Sequence, residues 1–502
     1  MIIPLEYPAV STHGASDERI HPNLILAVVS LAGLAYAMLS SAVIPALTPL
    51  EHSLHTNETG VTWLLTGYLL SASVGTAILG RLGDMYGKER LLLVTLVILA
   101  FGTLISALAT SLDLMIVGRI IQGAGGGIFP LAFGIVRDEF PRDRVAGSIG
   151  LLSSILGVGG GIGIVLGGVI VEHLNYHWLF WIPLVFSVIA VFATWRFVPE
   201  SPVRVPGRVN WLAAALMTAG FSCVLIAISE TITWGWGSAR TLGLLAVGLI
   251  ACLAWIAVEA RSDEPLIDMT MMRIRGVWTT NLVAFLLGAG MYASFLVFPQ
   301  FAQLPKRTGF GFGASVVTSG LYLLPSAFLM SLLGTFAGRV ARRFGSKLAL
   351  IVGTAVTAVA FGWLAVAHGH PYDLMISAAL LGIGIGLAFS ALGNLIVQAV
   401  PPEQTGAATG MNTVMRTLGG ALGGQVVATL IANHVAHGLP TVTGFTESFA
   451  LEAVFLAVAV LAGTLVPAAI GARQPAARVG REPAPELGIG SPPESELVRE
   501  AG

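Results

Sequence analysis

The chain has 502 residues, 55% hydrophobic and 11% charged, with a mean hydropathy of +0.83 and a formal net charge of −1. A soluble domain carries about 25% charged residues, so this much apolar side chain requires lipid as its solvent. The balanced charge argues against a nucleic-acid binder. The cysteines Cys223 and Cys252, both in apolar stretches, argue against a disulfide framework.

A helix needs about 20 apolar residues to cross the hydrocarbon core. Fourteen stretches meet that length, near 24–47, 62–80, 91–110, 114–136, 146–171, 178–197, 210–229, 240–258, 277–301, 314–337, 347–367, 373–398, 405–432 and 448–470. Their apolar runs are continuous rather than alternating, which indicates helices and not a β-barrel. The fold class is therefore an all-α polytopic membrane protein. Residues 1–23 lack a basic run followed by an apolar run, so a cytoplasmic tail is expected and not a cleaved leader. Residues 24–197 hold six spans and 277–470 another six. Two linker spans with cytoplasmic flanks lie between, in 198–276. Residues 471–502 are rich in Pro, Gly and charge and read as a disordered cytoplasmic tail.

Orientation follows from the basic residues. Of the 26 Lys and Arg, only Arg240, Lys306 and Arg307 fall in loops that would face outward if the N-terminus is inside; Arg119 and Arg416 fall within spans. The other 21 (26 less these five) gather on the cytoplasmic side, so both termini are expected there.

The halves repeat. Gly80, Arg81 and Gly87 of "GRLGDMYGKER" recur at an offset of 258 as Gly338, Arg339 and Gly345 of "GRVARRFGSKL". Gly150, Gly159, Gly160 and Gly163 recur at an offset of 260 as Gly410, Gly419, Gly420 and Gly423. Related halves are a mark of secondary transporters, with the substrate site at their interface.

Arg119 stands in "GRIIQGAGGGIFP", deep in an apolar run. An unpaired arginine at bilayer centre costs about 2.5–3.5 kcal/mol on the insertion scale, so the residue is expected to face a cavity. Gln122, three residues on, shares its helix face. In span 5, Gly159, Gly163 and Gly167 recur every four residues, a face that admits a close helix. In the segment after span 2, Gly80, Gly83 and Gly87 permit a tight turn, and Asp84 can accept bonds from a helix N-terminus. Arg137, at the end of span 4, is a further partner for it.

These segments resemble the major facilitator superfamily. "GRLGDMYGKER" resembles its short loop signature and "IVGRIIQGAGGG" its fourth-helix signature, with Arg119 at the signature arginine. "GVGGGIGIVLGG" resembles the fifth-helix antiporter signature. "WLLTGYLLSASVGTAILGRLGD" and "PQFAQLPKRTGFGFGASVVTSGLYLLP" resemble the fourteen-span drug:proton antiporter branch. The resemblance covers about residues 24–470. It implies two six-helix bundles plus two additional helices, in the cell membrane. It implies a secondary active exporter of drugs or amphipathic molecules, working by alternating access with proton antiport. The implied partners are a small-molecule substrate, protons and the lipid bilayer. A monomer is implied, with no cofactor, metal or nucleic acid. The loop becomes a latch between the bundles, with Asp84 and Arg137 as its charges. The cavity, lined by spans 1, 4, 9 and 12, nominates Tyr36, Ser40, Ser41, Arg119, Gln122, Phe129, Asn281, Phe285, Tyr292 and Asn394.

Two departures stand out. Gly163-Ile164 replaces the usual Gly-Pro, so span 5 should be straighter. Tyr36, nine residues before Pro45, occupies the place of the usual aspartate, and no Asp or Glu lies from 24 to 50. Of the other acids near membrane depth, Asp113, Glu172, Glu230 and Glu259 lie at span ends and only Glu452 lies within a span. Other function classes carry other signatures. A membrane-embedded enzyme would need clustered ligands or a nucleophile–base set, and the ten histidines form no ligand spacing on one helix. The missing span 1 acid leaves two alternatives: a transporter-derived, non-transporting sensor or scaffold, and a major facilitator carrier of a lipid or metabolite without proton coupling through span 1. An ATP-driven pump would need a G-x-x-x-x-G-K-[ST] loop, which is absent.

Overall fold

The computed structural model describes residues 21–56, 58–201, 209–262, 265, 267–436 and 439–467. Residues 1–20 and 468–502, which hold nearly all of both expected tails, lie outside the described residues.

Among the described residues, fourteen helices are long and apolar enough to cross a membrane. In order they are spans 1 to 14: Pro22–Ala46, Trp63–Tyr86, Lys88–Leu108, Leu112–Glu139, Asp143–His173, Trp178–Phe197, Trp211–Ser229, Ala239–Glu259, Arg275–Gln303, Val316–Gly334, Ser346–Val366, Pro371–Ala399, Pro402–Asn433 and Val442–Leu465. Polar caps start several of them: the side chains of Ser111, Asn210, Ser238 and Ser315 each accept the N–H three residues on.

Spans 1 to 6 share one apolar core, with Leu39, Leu64, Leu92 and Phe180 fully buried. Spans 9 to 14 share a second, centred on aromatic rings; Phe301 lies 5.2 Å from Phe445 and 6.0 Å from Phe449. Spans 7 and 8 cross closely where Gly220 meets Cys252 and Gly248 meets Val224. Together they dock on Ala77 of span 2 and on Ala408, Met411 and Val414 of span 13. The outer face of span 8, with Ile250 and Leu253 each 65% exposed, is left for lipid.

The expected loop after span 2 is a helix through Tyr86; only Gly87 turns, with φ +109°. Gly80 and Gly83 are helical instead. Their missing Cβ atoms admit the backbone of Gly406 and the side chain of Leu131. In the second half the helix likewise runs on to Phe344, and Gly345 turns at φ +83°. Positive φ is the conformation only glycine adopts without strain. The sequence repeat is also a repeat of contacts. Gly80 meets Gly406 as Gly338 meets Gly147, and Gly159 and Gly163 meet span 1 as Gly419 and Gly423 meet span 9.

Span 4 changes winding at Ala124–Gly127, a 3-10 segment between two α-helical stretches. Pro130 has no N–H to give to the carbonyl of residue 126, which frees that turn to tighten. The glycines there accept neighbours at close range: Gly125 the Tyr36 ring, Gly126 the Thr76 side chain, Gly127 that of Leu79.

Candidate functional site

Arg119 is completely buried within the first bundle. Its Nε donates to the Leu64 carbonyl (3.1 Å), and one terminal nitrogen donates to Gln122 Oε1 (2.8 Å) and the Leu39 carbonyl (3.4 Å). The guanidinium lies 4.1 Å from the centroid of the Tyr68 ring. Gln122 is held in turn, donating to the Gly102 carbonyl (3.2 Å) and Ser106 Oγ (3.0 Å). Arginine in span 4 thus joins spans 1, 2 and 3 through neutral partners. The Leu39 acceptor belongs to the first helix, and Arg119, expected to face a cavity, is instead enclosed between the helices of its own bundle.

Tyr36 extends this cluster, with its ring 6.1 Å from Tyr68 and 6.2 Å from Phe129. Phe129 continues to Phe133 at 6.1 Å. Tyr36 is within electrostatic reach of Arg119 and, from the second bundle, of Tyr292 and Arg416. Tyr292 covers Gly420, and Phe285 presents its backbone to Gly419. Arg416 places its guanidinium 4.7 Å from the Phe389 ring. Tyr36 and Tyr292 therefore approach each other where the bundles meet, with Phe129 against Tyr36 and with Arg119 and Gln122 buried behind, while Phe285 is tied to span 13 through its backbone. Ser40 and Ser41 turn back to carbonyls of their own helix, Ser40 Oγ to Ala37 at 2.8 Å. Asn281 accepts from Asn412 Nδ2 (2.9 Å), joining spans 9 and 13. Asn394 donates to the Ala146 carbonyl (3.1 Å), joining spans 12 and 5. Tyr68, Phe389 and Arg416 were not among the nominated residues. Arg416 carried the same signal as Arg119, an arginine inside a span.

The second constellation closes the face that carries the loops after spans 2, 4 and 12, hereafter the basic face. Asp84 is buried and accepts the N–H groups of Gly406 (3.2 Å) and Ala407 (3.1 Å), in the first turns of span 13. A carboxylate there meets unsatisfied donors and the positive end of the helix dipole. Arg137 does not bond Asp84. It donates to the Val400 carbonyl (2.8 Å), the Pro401 carbonyl (3.4 Å) and Thr405 Oγ1 (2.5 Å), reaching the same helix start from span 4. The cation near Asp84 is Lys88, at 3.7 Å, which pairs with Asp138 at 2.7 Å and is itself buried. Asp138 also accepts from Ser201. Apart from Asp84 and Lys88, four residues apart, these links join residues tens to hundreds of positions apart.

The glycines of span 5 divide between two partners. Gly159, Gly163 and Gly167 face span 1, at Ala37, Met38 and Pro45. Gly157, Gly161 and Gly168 face span 10, at Met330, Ala327 and Val317. The contact across the bundles thus uses the other glycine face from the one singled out in the sequence. Of the acids considered, Glu259 accepts from Trp255 Nε1 at 3.4 Å. Glu452 is completely buried near the middle of span 14, with neither oxygen hydrogen-bonded.

The sequence pattern that defines the Major Facilitator Superfamily matches residues 29–424 and, in a second overlapping placement, residues 280–493. The chain belongs to the major facilitator superfamily. This is a family of membrane transporters and not of enzymes, and the chain is a multi-pass membrane protein of fourteen candidate spans. Among facilitators it is 27% identical over 352 residues to multidrug resistance protein 3 of Bacillus subtilis, covering 69% of this chain and 67% of that one. It is 28% identical over 398 residues to the tetracenomycin C resistance and export protein of Streptomyces glaucescens, covering 78% and 73%. To the lincomycin resistance protein LmrB of Listeria monocytogenes it is 26% identical over 389 residues, covering 77% and 81%. The facilitator fold matches the human organic anion transporter MFSD10 with a TM-score of 0.63 at 15% identity, covering 88% of this chain and 99% of that one. The proton:xylose symporter XylE also matches at 0.63 and 15%, covering 89% and 96%. At such identity these two likenesses concern the fold alone.

Proposed function

We propose that this facilitator is a secondary exporter of amphipathic small molecules, working by alternating access in exchange for protons, with the basic face and both chain ends in the cytoplasm. The observation that carries the reading is the central cluster of Tyr36, Tyr68, Phe129, Tyr292 and two arginines where the bundles meet, beyond a basic face tied shut by Asp84 and Arg137. Aromatic walls with a few fixed polar groups suit a molecule that is mostly apolar. The relatives named for drug resistance and export support the direction.

Span 1 supplies no acid to carry the proton. Glu452 is the acid among the described residues that lies buried at mid-span, and we assign the exchanged proton to it. Inside-out vesicles loaded against a panel of dyes and antibiotics, with the pH gradient intact or collapsed, test the reading. Gradient-dependent uptake is expected. Uptake that ignores the gradient would leave a carrier without proton exchange, and no uptake of any compound would leave a sensor. Glu452→Gln should retain substrate binding and lose the gradient dependence; full dependence in this variant would remove Glu452 from the mechanism.

A further inference from the structure

Among the described residues, the centre of the molecule holds two cations, Arg119 and Arg416, and no carboxylate beside either. The side chains within electrostatic reach of Arg119 are the phenols of Tyr68 and Tyr36; for Arg416 they are the phenols of Tyr292 and Tyr36. Among the described residues no carboxylate belongs to either set. Every hydrogen bond that Arg119 makes goes to a neutral oxygen, and its second terminal nitrogen is buried without a partner. Arg416 is barer still. Its Nε is buried with no acceptor, and the contact that positions the guanidinium is the Phe389 ring. An arginine fixed by an aromatic face keeps its planar fork of donors free for a bidentate partner.

There is also room. Ile149 of span 5 meets Gly393 of span 12 near the basic face, and Ser153 is also close to that glycine. Two turns further along the same face of span 5, Gly160 is buried, yet a Cβ added there would meet nothing within 4 Å. Tyr36, Tyr292 and Arg416 are each only partly buried, so they border accessible space. Arg119 sits behind them with no exposure.

Two guanidiniums kept in low dielectric without a counter-charge raise the potential of the space between them, and an anion entering it gains from both. We propose that this space binds the acidic group of an amphipathic organic anion, with Arg416 as the direct contact, Arg119 as a buried charge acting through Tyr36, and the aromatic rings against the apolar body. This names the substrate class of the exporter proposed above and rests on that reading for its transport role, though not for binding.

The xanthene dyes fluorescein, an anion, and rhodamine 123, a cation, share one ring system and differ in charge. Fluorescence polarisation with the full-length protein in nanodiscs should show fluorescein binding at least about tenfold tighter than rhodamine 123. Arg416→Gln should weaken fluorescein about ten- to a hundredfold, the value of a charge-assisted bond, and leave rhodamine 123 unchanged or tighter. Equal or tighter binding of rhodamine 123 by the unaltered protein overturns the proposal without reference to any variant. So does a folded Arg416→Gln protein with unchanged affinity for fluorescein. Repeating the measurement in chloride and in gluconate separates the sources of negative charge; abolition of dye binding by chloride would assign the site to an inorganic ion and overturn the organic anion. Vesicle transport separates the two readings. Rhodamine 123 pumped while fluorescein neither binds nor moves keeps the exporter and removes the anion site. Fluorescein bound but no dye or antibiotic moved keeps the anion site and removes the exporter.

Discussion

Asp84→Asn isolates the charge in the link between bundles while keeping its shape. The carboxylate accepts two backbone N–H groups of span 13, at 3.2 and 3.1 Å, from across the bundle seam. Asparagine retains one acceptor, and its amide group meets the second N–H as donor to donor. Hydrogen bonds to charged groups contribute about 1.5–3 kcal/mol and neutral ones about 0.5–1.5, so losing one and neutralising the other costs the closed basic face at least about 2 kcal/mol. That raises the ratio of released to latched molecules at least about 30-fold. Lys88 keeps its 2.7 Å pair with Asp138, so no cation is stranded and the fold should survive. Nitroxide labels at Tyr86, 52% exposed at the end of span 2, and at Glu403, exposed in the first turn of span 13, would read the seam by pulsed electron resonance. The unaltered protein should show a single short distance, and Asp84→Asn a second, longer one. An unchanged distance distribution would mean that the helix-end bonds do not hold the seam, and that close packing of Gly80 on Gly406 suffices.

Arg119→Lys should lose most transport at normal abundance and Arg119→Ala nearly all, because three neutral acceptors and one ring are arranged for a planar fork; near-normal transport by the alanine variant would reduce the residue to an anchor. Gly163→Leu drives a side chain into Met38 and Ser41 of span 1 and should lower the unfolding temperature and transport together, overpacking costing about 1–3 kcal/mol, whereas Gly160→Ala, with open space before it, should leave stability unchanged. The carboxyl of Asp268, between spans 8 and 9, would be raised by burial, but bonds from Thr270, Gln404 and the Met271 backbone outweigh this and hold it below its ordinary value. Its contribution is therefore present above the unfolded value of about 3.9 and lost as pH falls through the lower folded value. Asp268→Asn should lower the unfolding temperature at pH 7 and converge with the unaltered protein once pH has fallen through the lowered folded value; a gap that persists there would mean the charge is not the source.

The span count was legible because length and hydropathy set it, and the repeat was legible because close helix contacts demand glycine at fixed places. The direction each helix faces was much less so. In water a polar stripe marks the exposed side, but here lipid and protein interior are both apolar, and the pattern carries little phase. Span 5 shows the consequence: its glycine periodicity announced a close contact, and the structure gives that face to span 1 and the adjoining face to span 10. Polar residues escape the ambiguity, since each must find a partner. Arg119 and Gln122 were placed together correctly on that ground. Asn281 and Asn394 found their partners too, but in helix-to-helix links: with span 13 for the first, with span 5 for the second. The basic face was legible in part. Asp84 was expected to meet a helix N-terminus and meets that of span 13, but Arg137 bonds Val400, Pro401 and Thr405 instead of Asp84, and which helix start receives the carboxylate carries no residue signature because the bonded groups are backbone.

The internal symmetry breaks at one instructive place. Gly80 on Gly406 and Gly338 on Gly147 are the same helix crossing made twice. At the first, Asp84 follows the glycine and accepts from the opposite helix start. At the offset of 258, the second copy carries Arg342. Arginine donates and cannot accept, so it has no means of satisfying helix N–H groups. The two seams therefore differ in kind. The seam of spans 5 and 10 is packed through its depth by Gly157, Gly161 and Gly168 against Met330, Ala327 and Val317, with shape as its main cohesion. The seam of spans 2 and 13 is close at Gly406 and Gly410, and beyond them the glycines of span 13 turn to span 9. Its closure thus rests on a short contact and a charge at one end. A seam of continuous small-residue packing can pivot with little change in contact, whereas one held by a terminal charge is either made or broken.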